Sequence, residues 1–301
     1  MRLAVSFGLL LRLIPRPRLG LQRAVGRGLL RESWPIGAGQ GVRQAYERVS
    51  IIQLGAAMDA AAVGLFSGAA RIFQLTDTML TSFSTALFPA MSEAASVNGR
   101  LQKLTSDGLR ALLSLALPAS AFFLVFSPAF LPWLLGPEFA DTAPALQIMA
   151  PAVTFAAISS LFSNLLRAIG RQRIDLYCMA GSLAINIALT ALLIPSLGYL
   201  APAVATVVSH GIYTLLASIV AFPVIRHVNG RQLIAPLAST LLMVVVWYLA
   251  REMPVLLRLA AGAVVYVVAM VVMKGIDMDF CRPVIESVRR SVRTQRSKPG
   301  R

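Results

Sequence analysis

Apolar runs of roughly 20 residues, the length a helix needs to cross a hydrocarbon core of about 30 Å, recur along this chain between charged or Pro/Gly-bearing breaks. They predict helices at about Pro35 to Ala57, Val63 to Met91, Leu109 to Leu131, Ala143 to Leu166, Ile174 to Pro195, Leu200 to Phe222, Leu233 to Ala250 and Val255 to Gly275. The expected fold class is therefore an all-α integral membrane protein with about eight transmembrane helices.

The polar positions inside those runs are equally patterned. In the first, Gln40, Arg43, Gln44, Glu47 and Arg48 fall within an arc of about 140° at 100° per residue. Val42, Ala45, Tyr46, Val49 and Ile52 occupy the other side. In the second, Ser67, Arg71, Gln74, Thr78, Thr81, Ser82 and Thr85 share an arc of about 100°, with Asp77 some 60° outside it. A charge at mid-span costs roughly 2.5 to 3.5 kcal/mol on insertion scales, so these side chains are not expected to face lipid. Two such helices joined by a short turn suggest a shared water-filled cavity, with Arg43, Glu47, Arg48, Arg71, Gln74 and Asp77 as candidate substrate-binding residues. The alternative is that Arg43 and Glu47, four apart, pair within their helix while the hydroxyls bond back to carbonyls.

Composition fixes the solvent. Hydrophobic residues make up 57% of the chain and charged ones 14%, with a mean hydropathy of +0.72, far too apolar for a wet surface. A net charge of +15 would point to nucleic acid in a soluble protein, but here the bases fall between apolar runs and read as topology instead. Arg2, Arg12, Arg16, Arg18, Arg23, Arg27 and Arg31 precede the first span, and Arg100, Lys103, Arg110, then Arg167, Arg171, Arg173, then Arg226, Arg231 follow alternate spans. A basic tail from Lys274 follows the last, and only Arg251 and Arg258 break the asymmetry. Both termini are expected in the cytoplasm. The tail, residues 277–301, is expected to be disordered or bound to anionic lipid headgroups.

Other classes find no support in the residues. The opening MRLAVSFGLLLRLIPRPR has Arg12 interrupting its apolar core and no small-residue cleavage site, so it reads as a helix remnant rather than a signal peptide. Cys178 and Cys281 form neither a disulfide framework nor a zinc site. His210 and His227 lack a carboxylate cluster, a serine partner or metal-ligand spacing, and no Gly-rich phosphate loop occurs. No enzyme, cofactor or metal is expected. Among the cavity candidates, Arg43, Arg48 and Arg71 outnumber Glu47 and Asp77 three to two, a net of +1 that favours an anionic headgroup. The planar arginine fork suits phosphate. A coupling proton on Glu47 is disfavoured because Arg43 would hold it ionised.

Several segments resemble a known family: LLRESWPIG, VGLFSGAARIFQL followed by STALFPAMSE, LPWLLGPEFADTAPALQIM, LLRAIGRQR and NIALTALLIPSLGYLAPAVATVVSH. Over about Leu29 to Val224 the chain resembles the Wzx-like polysaccharide transporters (O-antigen flippases) of the MATE/MOP flippase superfamily. The most specific pieces are Phe88-Pro89, Leu135-Gly136-Pro137-Glu138-Phe139 and Asn186 to Ser209. The chain departs where Ala201-Pro202-Ala203 replaces a Gly-Ala-Ala run. The resemblance implies a two-lobe flippase of polyprenyl-diphosphate-linked oligosaccharides in the bacterial inner membrane. On it, 34–222 is the six-helix C-terminal lobe, 1–33 a basic remnant of the lobe-to-lobe linker, 223–276 two additional spans and 277–301 the tail. A missing N-terminal lobe, through a truncated frame or a separate partner chain, follows from the same match. The rivals are a cation-coupled drug exporter of the superfamily, a membrane-embedded glycosyl or acyl transferase, and an inactive fragment.

Overall fold

The computed structural model describes residues 23–95, 99–225 and 231–273. Among them eight α-helices follow one another: α1 (Arg23–Ala57), α2 (Ala60–Ala94), α3 (Arg100–Leu135), α4 (Ala143–Ala168), α5 (Gln172–Leu197), α6 (Ala201–Ile225), α7 (Arg231–Leu249) and α8 (Val255–Val272). Short 3-10 turns, Pro137–Thr142 and Gly198–Leu200, join α3 to α4 and α5 to α6. Each expected span coincides with one helix. The largest difference is α1, which begins at Arg23 instead of near Pro35. Apolarity limits only the part of a helix inside lipid, and the Leu, Arg and Glu residues before Pro35 are good helix formers that carry it further. His227, Cys281, the first 22 residues and the basic tail lie outside the described residues.

The core is built around α4. Its Ala- and Ser-rich sequence lets neighbours approach closely, and from Ser159 to Leu166 every residue of it is buried, whereas Pro144 and Pro151 nearer its start are exposed. α2, α3 and α6 pack directly on it, α5 packs on α6, and α1 lies along α5 and touches α2 only sparingly. α7 and α8 form a hairpin attached to α3 through α7. Ala201, Pro202 and Ala203 are buried, so α6 packs closely where the sequence departs from Gly-Ala-Ala.

The outside is apolar. Leu192, Leu241, Leu256 and Val272 are 73%, 66%, 80% and 74% exposed, which fits a surface solvated by acyl chains. By length and composition, Arg100–Leu135, Pro137–Ala168, Gln172–Ile225 and Val255–Val272 are each apolar enough to cross a membrane, and Gln172–Ile225 holds two helices. Leu233–Leu249 is a shorter apolar helix. α1 and α2 fall short of that apolarity because of their charged and hydroxylated faces.

Prolines within α3 free carbonyls that the bundle satisfies from outside the helix. Pro118 and Pro128 have no N–H to give the carbonyls four residues earlier, Ser114 and Leu124. Tyr266 Oη of α8 donates to the Ser114 carbonyl at 2.7 Å, and Gln147 Nε2 of α4 to that of Leu124 at 3.0 Å. In hydrocarbon an unmatched carbonyl costs several kcal/mol, so these bonds also fix where α4 and α8 sit. At the end of α3, Gly136 takes φ +111°, which glycine adopts freely, and turns the chain into the Pro137–Thr142 segment. Tyr199 Oη donates to the Asp141 carbonyl at 2.9 Å, tying the two connectors together. Burial, then the nearby Asp141 carboxylate, pushes the Tyr199 phenol above its ordinary value.

Candidate substrate cavity

Because α1 leans on α5 rather than α2, a gap opens between the first two helices. Asp59 caps the turn joining them by accepting from the Ala62 N–H at 2.9 Å. The seam that holds α1 against α5 and α6 is polar. Ser50 Oγ donates to Asn186 Oδ1 (3.1 Å), Asn186 Nδ2 to Ser209 Oγ (3.2 Å), Ser182 Oγ to the Ser209 carbonyl (2.7 Å) and Gln53 Nε2 to the Ile187 carbonyl (3.0 Å). Tyr46 completes it, bonding to Ser209 and lying 2.9 Å from His210 Nδ1.

In front of that seam is a cavity of about 300 Å³, bordered by α1, α2, α4, α5 and α6. Five of the six candidate residues line it: Arg43, Glu47, Arg71, Gln74 and Asp77. Arg48 does not. It is exposed on another face of α1, as are Gln40 and Gln44. The face of α1 that borders the cavity is centred about 60° round the helix from the middle of the polar stripe, since the side meeting α5 is the one with Tyr46 and Ser50. Tyr46, assigned to the apolar side, faces the cavity. Asp77, placed outside the α2 stripe, lines the cavity with Thr81, whereas Thr78, Ser82 and Thr85 are exposed elsewhere on α2.

The alternative of internal pairing is half right. Thr78, Ser82 and Thr85 donate back to the carbonyls of Gln74, Thr78 and Thr81 at 2.7, 2.7 and 2.8 Å. Arg43 and Glu47 form no ion pair; Glu47 instead accepts from Gln74 Nε2 of α2 at 2.8 Å. Among the described residues the ion pairs are Arg167–Asp175 and Arg251–Glu252, so Arg43 and Arg71 keep their donors free for a ligand. With Arg48 outside, the cavity's fixed charges balance, Arg43 and Arg71 against Glu47 and Asp77. The expected net of +1 is not found.

Sequence reasoning missed two features. His210 borders the cavity with its ring edge-on to Tyr46 (centroids 4.9 Å apart) and Phe73 (5.6 Å). Asp175, in the first turn of α5, is buried beside the cavity wall and accepts from Ser163 Oγ (2.8 Å), Arg167 Nε (3.2 Å) and Tyr213 Oη (2.5 Å). Position in the basic LLRAIGRQR segment made Arg167 look like a topology signal. Nothing local in the sequence marks Asp175 as its partner.

A bundle that is helical throughout its described residues, with an apolar exterior and charged side chains around an internal polar cavity, defines a polytopic membrane protein. The chain belongs to the lipid II flippase MurJ family, whose family model matches residues 3–272. It is 24% identical over 173 residues to the probable low-salt glycan biosynthesis flippase Agl15 of Haloferax volcanii, covering 57% of this chain and 37% of that protein. A solved structure of the lipid II flippase MurJ in an inward closed conformation has the same fold, with a TM-score of 0.70 at 16% identity over 93% of this chain and 60% of the other. The chain therefore spans less than two thirds of the length of the relatives it matches, 37% of one and 60% of the other. The likeness to Wzx-like polysaccharide transporters is carried by these matches only as far as the shared MOP flippase superfamily.

Proposed function

We propose that this chain binds the diphosphate-sugar headgroup of a polyprenyl-linked glycan and takes part in moving it across the bacterial inner membrane, with both termini in the cytoplasm. The observation that carries the reading is the cavity of about 300 Å³ in an apolar bundle, with two arginines that have no ion-pair partner among the described residues. Arg43 on α1 and Arg71 on α2 approach it from different helices, and each can give a phosphate two parallel hydrogen bonds. Gln74 and Glu47, bonded to each other, remain available to sugar hydroxyls. Residues 34–222 act as the C-terminal lobe and 223–276 as two added spans. A second lobe closing over the cavity would give alternating access.

The family name points to a peptidoglycan-type precursor, and the Wzx-like segments to a cell-surface polysaccharide such as O-antigen. Both share the diphosphate. Binding of a farnesyl-diphospho-sugar to the chain in lipid nanodiscs tests it without requiring a complete pathway. Charged hydrogen bonds are worth about 1.5–3 kcal/mol each, so Arg43→Ala and Arg71→Ala are each expected to weaken binding by roughly 10- to 100-fold, with lysine at either site retaining part. Unchanged binding in the double alanine variant removes the proposal. One observation favours a cation-coupled exporter instead: Asp77 is an acid whose bond, to Thr81 Oγ1, is as long as 3.4 Å. Displacement of the diphospho-sugar by a lipophilic cation would favour that reading.

A further inference from the structure

Among the cavity's side chains, His210 is the one whose ordinary titration falls near neutrality, and its hydrogen bonds define which nitrogen is free. Ser209 Oγ gives its hydrogen to the Ala205 carbonyl at 2.6 Å, so towards Tyr46 it accepts. Tyr46 Oη thus donates to Ser209 and can only accept from His210 Nδ1. The Thr206 carbonyl, 3.0 Å from the same Nδ1, also only accepts. Nδ1 therefore carries the hydrogen, and in the neutral ring the lone pair sits on Nε2. Nε2 makes no hydrogen bond among the described residues. The ring is held in place by Tyr46 and Phe73.

We propose that His210 Nε2 takes up a proton when a diphosphate headgroup enters, making this histidine the third cation of the binding site. The inference rests on the reading of the cavity as a headgroup site. The charges around His210 are Arg43 and Glu47 from α1, and Arg71 and Asp77 from α2, and they balance. Tyr46 of α1 and Tyr213 of α6 add neutral phenols. α4 and α5 offer uncharged residues such as Ser159, Ser160, Met179 and Ser182, while Asp175 of α5 is engaged by Arg167 and Tyr213. A diphosphodiester entering a balanced, weakly polar cavity brings uncompensated negative charge, and an opposite charge close by favours the protonated imidazole. Nε2 gains one proton from solvent, no bond in the ligand changes, and the proton leaves when the headgroup does. By reciprocal linkage, protonation must strengthen binding as much as binding strengthens protonation. The device selects doubly charged headgroups over neutral or singly charged lipids.

Titration calorimetry of a farnesyl-diphospho-sugar into the chain in nanodiscs, repeated in buffers of different ionisation enthalpy, counts the protons taken up. Both phosphates of this ligand stay ionised between about pH 5 and 8, so uptake reports on the protein. The expected result is an uptake approaching one proton per ligand above neutral pH, with affinity falling about tenfold per pH unit there. His210→Asn keeps an amide near Nδ1 to serve Tyr46 and Thr206 but removes Nε2; it should still bind, with no proton uptake and a flat pH profile. Binding without uptake in the wild type, or the same uptake in His210→Asn, overturns the inference while leaving the headgroup site standing. Absence of binding at every pH overturns the site itself, and this role with it.

Discussion

Two polar clusters share α6 and a common wall, yet they fill their hydrogen-bonding capacity very differently. Around Asp175 neighbouring side chains each turn a donor inward: Ser163 Oγ, Arg167 Nε and Tyr213 Oη converge on one carboxylate whose side chain is 3% exposed. Across the wall, Arg43 and Arg71 have no ion-pair partner among the described residues, and Asp77 has only a long bond to Thr81. Charges of both kinds are expensive within a membrane. The first cluster offsets that expense from within the protein, whereas the second leaves capacity that a ligand can fill. Burial and charge alone therefore do not separate a site from a clamp; the degree of saturation does.

The largest effect expected from this difference is on stability at the saturated cluster. Removing one partner of a buried pair strands the other, at about 3–5 kcal/mol. Asp175→Ala should cost about the low end of that range and no more, since the stranded Arg167 is 28% exposed and partly solvated. Thermal or denaturant unfolding in detergent would show it, with headgroup binding per folded molecule preserved. Glu47→Ala, at the unsaturated cluster, should change stability little. If the two variants unfold alike, the distinction between clamp and site collapses.

Ser209→Ala is expected to come next. Ser209 is the hub of the seam, accepting from Tyr46 and Asn186 and donating to the Ala205 carbonyl. Alanine leaves buried donors on α1 and α5 unmatched, for about 1–3 kcal/mol. Because Tyr46 then loses the acceptor that orients it, binding should weaken along with stability. A variant that loses stability alone would place the seam with the clamp.

The fold was largely legible in the sequence, because a 30 Å hydrocarbon layer imposes a length on every helix and basic residues mark the ends. The cavity was legible only in outline. Periodicity gave α1 and α2 polar faces, but which part of a broad face looks inward depends on the neighbouring helix. α1 turned its Tyr46–Ser50 edge to α5, which brought in Tyr46 and left Arg48, Gln40 and Gln44 outside. Polar content was a poor guide here, since tyrosine and serine at the margin of a stripe make better interhelical contacts than a long arginine. Asp175 and His210 were unreadable for a related reason. Each acts through residues remote in the chain, Tyr213 for one and Tyr46 for the other, and no local spacing records such pairs.

The smallest effect expected is at the outer hydroxyls of α2, where the comparison meets its sharpest control. Thr78, Ser82 and Thr85 are as polar as the cavity residues and lie on the same helix, yet each already donates to the carbonyl one turn back. Such bonds add nothing the helix lacks, since those carbonyls can also accept along the backbone. Thr78→Val and Ser82→Ala should therefore move stability by less than about 0.5 kcal/mol and leave diphospho-sugar affinity within error of wild type, measured beside Arg71→Ala. A clear loss of affinity in either would extend the binding surface round α2 to its exposed face, and would mean that the balanced charge within the cavity describes only part of the site.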